Sequence, residues 1–233
     1  RYMGKQYSLE KNHVTVINVG GINFKHFLSL FDITQPNTID RKIACLTDID
    51  PTRRNKKAPK SKFKSCYPFE YDSCPEEYDY KQNALLDMYK DHPNIGVFYP
   101  DREQGKTFEY DLILANPSLE LLITDSTSNK EELLDLMEAY RSARSLDVLE
   151  GILRKTDENE RIKKSLLDCH WEECDKKKAL IASRYQNSID KGTNALELLY
   201  CLRENRERVG DADYKDFVVP THIQAAIKWV CEE

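Results

Sequence analysis

The sequence predicts an α/β fold in which a parallel sheet occupies the first half and helices dominate the second. Three observations lead there. First, Val14 to Asn18, Ile43 to Thr47 and Ile95 to Tyr99 are short runs rich in β-branched, aromatic and other apolar residues, which is how strands read. Second, the run from Ile43 has no polar alternation before Thr47, as suits a strand covered on both faces of a parallel sheet. Third, beyond Asp125 such runs stop and apolar residues recur at helical spacing, as in Leu133, Leu134, Met137 and Tyr140. The division expected from this change of texture is an α/β core over 1–125 and a helical region over 126–233.

Bulk properties bound the function. The chain has 233 residues, 40% hydrophobic and 32% charged, so it can bury a core beneath a strongly polar surface. A net charge of −5 carries no overall basic signature, and any nucleic-acid contact must come from a local patch. Seven irregularly spaced cysteines do not make a disulfide framework and point to reduced thiols in the cytoplasm. No apolar run approaches the roughly 20 residues of a membrane span, and no signal peptide is visible. The chain opens on Arg1, and Met3 has no standing as a start, so it reads as a piece of something longer.

In chain order, residues 1–13 are polar and suggest the tail of a helix. After the strand at 14–18, Gly20-Gly21 turns the chain, and Phe24, Phe27, Leu28 and Phe31 give a helical period. With the run at 43–47 this makes a strand–helix–strand unit. That run leads into Asp48 and Asp50, two residues apart, whose side chains point the same way on extended backbone. Acids at the carboxyl end of such a strand lie where open α/β sheets place their ligands. Facing carboxylates repel unless a cation lies between them, and oxygen-only ligation suits Mg²⁺ or Mn²⁺. The plain alternative is a pair of solvated turn acids before Pro51.

From Thr52 the texture changes. Arg53, Arg54, Lys56, Lys57, Lys60, Lys62 and Lys64 appear with no acid between them, and an acidic, tyrosine-rich stretch (Glu70, Asp72, Glu76, Glu77, Asp79) follows. Residues 52–80 read as a long basic insertion loop, in which Arg53, Arg54, Lys56 and Lys57 are candidates to hold DNA phosphates beside the acids. A mobile, solvated loop is the competing reading. Ala84 to Tyr89 suggests a short helix. Thr107 and Glu109 also stand two apart, either facing a metal or, as local pattern favours, opening a helix through Ala115. Residues 161–187 read as charged helix, and Ala225 to Val230 as a closing helix after Pro220. Cys169, His170 and Cys174 have poor spacing for zinc and no second pair. Asn194 with Glu197 resembles a helix cap, which places Lys191 at a helix amino end, where it needs an anion. An exposed loop lysine is the alternative.

Taken together, V-T-V-I-N-V-G-G-I-N-F-K-H-F (14–27), I-A-C-L-T-D-I-D-P (43–51), T-F-E-Y-D-L (107–112), K-G-T-N-A-L-E-L-L (191–199) and F-V-V-P-T-H-I-Q-A-A-I-K-W-V (217–230) resemble the Toprim nuclease half of the OLD (overcoming lysogenization defect) family. These are ATP-dependent endonucleases that include the nuclease subunit of Gabija-type phage defence. The resemblance implies a Toprim-like parallel sheet with a predominantly helical insertion and C-terminal half, and an Mg²⁺- or Mn²⁺-dependent endodeoxyribonuclease. Two ions are implied, with Asp48 and Asp50 as the DxD ligands and Thr107 and Glu109 as the [ST]-x-E pair for the second. Lys191 is implied to lie near the scissile phosphate. Implied partners are DNA, an ATPase domain upstream in the same polypeptide or in trans, a further copy of the chain, and in some settings a helicase.

The sequence departs from the family in showing neither the first-strand E-G-x-[ST]-E glutamate nor a G-x-x-x-x-G-K-[ST] loop. The expectation is that both precede Arg1 and that this chain alone is inactive. Two rival functions stand beside the nuclease. Asp48-Ile-Asp50-Pro-Thr52 fits the D-x-D-x-T of haloacid-dehalogenase-like phosphatases with Asp48 as nucleophile, and Gly210-Asp211 and Asp216 imitate that family's later acidic motif. The other is a Toprim module kept for assembly or DNA clamping without cleavage.

Overall fold

The computed structural model describes residues 2–21, 24–71 and 76–232. Its architecture is mixed α/β with two small sheets. Strands β1 (Ile43–Leu46) and β5 (Ile95–Phe98) pair in parallel, Ile43 opposite Ile95 through Leu46 opposite Phe98. Strands β2 (Thr52–Asn55), β3 (Lys64–Ser65) and β4 (Tyr78–Lys81) form an antiparallel sheet in the order β3-β2-β4. The helices are α1 (Phe24–Leu28), α2 (Phe108–Ala115), α3 (Lys130–Arg141), α4 (Leu146–Ile152), α5 (Asp157–Asp168), α6 (Glu173–Gln186), α7 (Lys191–Glu207) and α8 (Thr221–Cys231).

The parallel pair is covered on both faces, though thinly. Ile43, Cys45, Ile95 and Val97 pack with Phe24 and Leu28 of α1, with Leu85 in a 3-10 turn (Ala84–Asp87), and with Tyr89. On the other face the Trp229 indole of α8 donates to the Ile43 carbonyl at 3.1 Å and lies against the Phe98 ring. A Cβ at Gly96 would meet the Phe98 ring at 2.6 Å and Trp229 at 3.2 Å, so only glycine lets α8 approach this closely. Cover fails at the carboxyl end, where Leu46 is 43% exposed.

The larger core belongs to the helices. In α6, Ala179 to Tyr185 are all buried, so this helix is central rather than amphipathic. Around it pack Leu133, Leu136 and Met137 of α3, Leu149 of α4, Ile162 and Leu166 of α5, and Tyr110, Leu112 and Ile113 of α2. Tyr67 and Phe69, stacked at 5.0 Å between ring centroids, enter the same core from the segment after β3. The packing therefore ignores the division expected at residue 125.

Four local readings need correcting. Val14 to Asn18 is not a strand: it pairs with no described strand, and Val16 and Ile17 are 78% and 58% exposed. β-Propensity alone does not make a strand without a partner ladder. Residues 52–80 are not a loop but the antiparallel sheet and a 3-10 turn (Pro68–Glu70); Asp72 lies outside the described residues. The helix expected over 161–187 is broken at 169–172 into α5 and α6, and the helix tail expected over 1–13 is only a 3-10 turn, Lys5–Tyr7.

Candidate active site

The site starts where β1 ends. Thr47 extends the ladder through its N–H to the Phe98 carbonyl (3.1 Å), and the chain then leaves the sheet. Ile49 is fully buried and holds the loop down, while Asp48 and Asp50 flank it. Asp50 adopts φ 46°, the left-handed region that a non-glycine residue enters only when its surroundings enforce it. Here the Lys106 carbonyl accepts from both Ile49 N–H (3.1 Å) and Asp50 N–H (3.3 Å). Asn83 adds a staple from the other side: its Nδ2 donates to Thr47 Oγ1 and to the Asp48 carbonyl, and its N–H donates to the Ile49 carbonyl.

Helix α2 begins against this loop. Thr107 caps it, its hydroxyl accepting from Tyr110 N–H (3.4 Å) and from Gln186 Nε2 (3.0 Å). At 4% exposure Thr107 is turned inward. Of the expected pair, Thr107 here serves as the helix cap, while Glu109 acts on Asp48 electrostatically. The Phe108 N–H, unpaired within the helix, donates to Asp48 Oδ1 at 2.9 Å. Glu109 lies in the first turn, as its local pattern indicated, and its Oε2 accepts from Lys191 Nζ at 3.1 Å.

Lys191 reaches the site because α7 starts earlier than its sequence suggested. Asp190, not Asn194, is the cap, accepting from Thr193 N–H at 3.0 Å. Asn194 is buried and links the Tyr185 hydroxyl to Thr124, while Glu197 binds Ser126. Lys191 is thus the first helical residue, disfavoured there by the helix dipole, and Glu109 is the anion it finds.

The charges act on one another. Burial first, and then the Asp50 charge, push the Asp48 carboxyl up to about 6; Glu109 adds to this, and the Phe108 N–H and Lys191 oppose it. Asp111, which accepts from Lys106 N–H at 3.1 Å, is pushed by burial up to about 7. Asp48, Asp50 and Glu109 supply the hard oxygen donors a divalent cation prefers. Among the described residues, however, no three His, Cys, Asp or Glu side chains stand close enough to form a ready-made cage. A cation held by Asp48 and Asp50 would need water and a substrate oxygen to fill the rest of its shell. The same observation covers Cys169, His170 and Cys174.

The basic stretch is placed differently from expectation. Arg53 Nη2 is 2.9 Å from the fully buried Glu70, and its guanidinium lies 4.5 Å over the Tyr78 ring. Arg54 pairs with Asp79 at 3.0 Å, donates to the Pro59 carbonyl and covers Phe63. Both arginines thus already have partners within the fold's own segment, Arg53 a buried one and Arg54 a half-exposed one. Lys56 and Lys57 stand on the exposed turn after β2. The phosphatase motif fares no better: residues 204–207 lie in α7, so no strand delivers Gly210 and Asp211 to Asp48.

Three residues near the site escaped the sequence reading. Phe108 (42% exposed) and His222, in the first turn of α8, line a recess with Asp48 and Asp50. Burial pushes the His222 imidazole down to about 4. Lys106 is buried with its ammonium 3.9 Å from the Tyr67 ring centroid, and burial pulls it down to about 8. The signal for His222 was its place directly after Pro-Thr at a helix start; Lys106 gave none. Compared with protein-family models, with curated proteins and with solved structures, the chain matches none.

Proposed function

We propose that the chain is the hydrolytic portion of a Toprim-like, Mg²⁺- or Mn²⁺-dependent DNA endonuclease, working in the cytoplasm and coupled to an ATPase domain, with phage defence as its setting. The observation that carries this reading is the meeting of Asp48, Asp50, Glu109 and Lys191, from three distant segments, at the carboxyl end of a parallel strand. A bound divalent cation would supply an activated water and charge stabilisation for the leaving oxygen of a phosphodiester. Asp48 and Asp50 would hold it, with Glu109 beside them. Asp48 is kept in place by the Phe108 N–H and the Asn83 staple, so its carboxylate is positioned before any ligand arrives. Lys191, 57% exposed at its side chain, is free to turn from Glu109 toward a phosphate and neutralise charge that grows during displacement.

The test is cleavage by the native polypeptide that contains this chain. Asp48→Ala is expected to abolish Mg²⁺-dependent cutting with the fold retained by circular dichroism. Lys191→Ala is expected to lower turnover on the order of 10²-fold with little change in DNA affinity. Wild-type cutting by a folded Asp48→Ala variant would end this reading.

A further inference from the structure

A shallow, largely open recess of about 530 Å³ lies beside the acids. Asp48 and Asp50 line it together with Phe108 of α2, Leu46 of β1 and His222 of α8, and Phe24 of α1 also contributes. We infer that this recess takes a single unstacked nucleobase, so that the chain acts on DNA whose bases are unpaired at the position cut. The inference rests on the phosphodiester reading of the acid cluster and names its substrate class.

The wall chemistry selects the occupant. A wholly apolar ligand would strip water from Asp48 and Asp50 with nothing in return. A bare anion would meet two carboxylates, and no lysine or arginine is among the lining residues. A nucleotide suits both ends: its base has a flat apolar face for Phe108 and Leu46, and its phosphate would lie toward the acids, whose charge a divalent cation held by Asp48 and Asp50 would offset. Phe108 and Leu46 are 42% and 43% exposed, although each flanks buried residues, so both present apolar surface to this space. His222 on the same lining offers its ring nitrogens to a base edge. In paired DNA the bases are stacked inside the duplex and cannot enter; an unpaired or extruded base can.

Isothermal titration of the chain in Mg²⁺ with dAMP, deoxyribose 5-phosphate and inorganic phosphate tests this directly. A base stacked on an aromatic ring contributes about 1–3 kcal/mol, so dAMP is expected to bind roughly 5- to 150-fold more tightly than deoxyribose 5-phosphate. Phe108→Ala should erase that difference and Phe108→Trp should keep it, which separates stacking from a folding defect. In the native polypeptide, single-stranded or mismatched DNA should be cut faster than paired DNA, and Phe108→Ala should remove the preference. Equal binding of dAMP and deoxyribose 5-phosphate, with Asp48-dependent cutting intact, overturns the base site and leaves hydrolysis standing. Base-dependent binding without any cutting keeps the base site and removes hydrolysis.

Discussion

The two cores of this protein differ in depth. The helical core is many layers of contact around α6, with Leu133, Leu136, Met137, Leu149, Ile162 and Leu166 fully buried. The core on the parallel pair is a thin cluster of Leu28, Cys45, Leu85 and Ile95. The acid site draws from both: Asp48 and Asp50 come from the thin side, while Glu109 and Lys191 sit on helices anchored in the deep one. The seam between a rigid and a lightly held body is thus where the charges meet. Its precision depends on the few contacts that tie β1 to the start of α2.

The strongest blow to that seam falls at Gly105. A Cβ there would stand 2.3 Å from Pro100 Cβ and 2.7 Å from the Asp101 backbone nitrogen. The connection from β5 to α2 cannot absorb it, and Gly105→Ala should cost roughly 3 kcal/mol or more. Urea unfolding measures this; a cost under about 1 kcal/mol would show that the joint is soft.

Next in size is the contrast between the cores. Leu136→Ala leaves a cavity that packed helices cannot close, at about 3–5 kcal/mol, whereas Leu28→Ala should stay near the lower end of the usual range, about 2 kcal/mol, because the thin cluster can collapse. Equal costs for the two variants would remove the distinction drawn here. Hydrogen exchange offers the same comparison without mutation, with β1 and β5 amides expected to exchange before those of α6.

The smallest effect sharpens the electrostatics. Because the folded protein raises Asp48 from its ordinary value near 3.8 to about 6, folding disfavours its charged form. Its contribution is therefore favourable below about 3.8 and lost as pH rises through about 6. Asp48→Asn should stabilise the metal-free protein at pH 8 by roughly 1 kcal/mol, after discounting for solvent, and by nothing at pH 3. A gain that persists at pH 3 would point to packing rather than charge.

Much of this arrangement was legible in the sequence. β1 and β5 announce themselves as apolar runs, and α3 follows from periodicity, because Leu133, Leu136 and Met137 repeat on its buried face; α2 was legible from the acid in its first turn and α8 from Pro220 before it. Asp48, Asp50, Glu109 and Lys191 were singled out as residues whose charges need partners, and their charges do act on one another. The antiparallel sheet was not read from the sequence: Thr-Arg-Arg-Asn has no apolar alternation, and the alternation of Tyr78 and Tyr80 with Asp79 and Lys81 spans only four residues. They are held by cations over rings, Arg53 on Tyr78 and both Arg54 and Lys81 on Phe63, contacts that no periodicity encodes. Thr107 stayed ambiguous because a cap and a metal ligand use the same hydroxyl, and only the direction of the side chain separates them. Val14 to Ile17 misled because a strand needs a neighbour that its own residues cannot specify.

Glu70 has a consequence for the order in which the chain assembles. Its carboxylate, with no solvent exposure, accepts from Tyr67 N–H and from Arg161 at 2.7–2.8 Å and pairs with Arg53. A carboxylate cannot enter such a place before its counter-charges do. Arg161 arrives from α5, 91 residues further along the chain. The Glu70 site is therefore complete only once α5 has docked, although β2 itself supplies one of its counter-charges, Arg53. Full burial of Glu70 is thus a late event in assembly, whereas the ladder of the sheet itself joins neighbouring segments and uses no residue of α5.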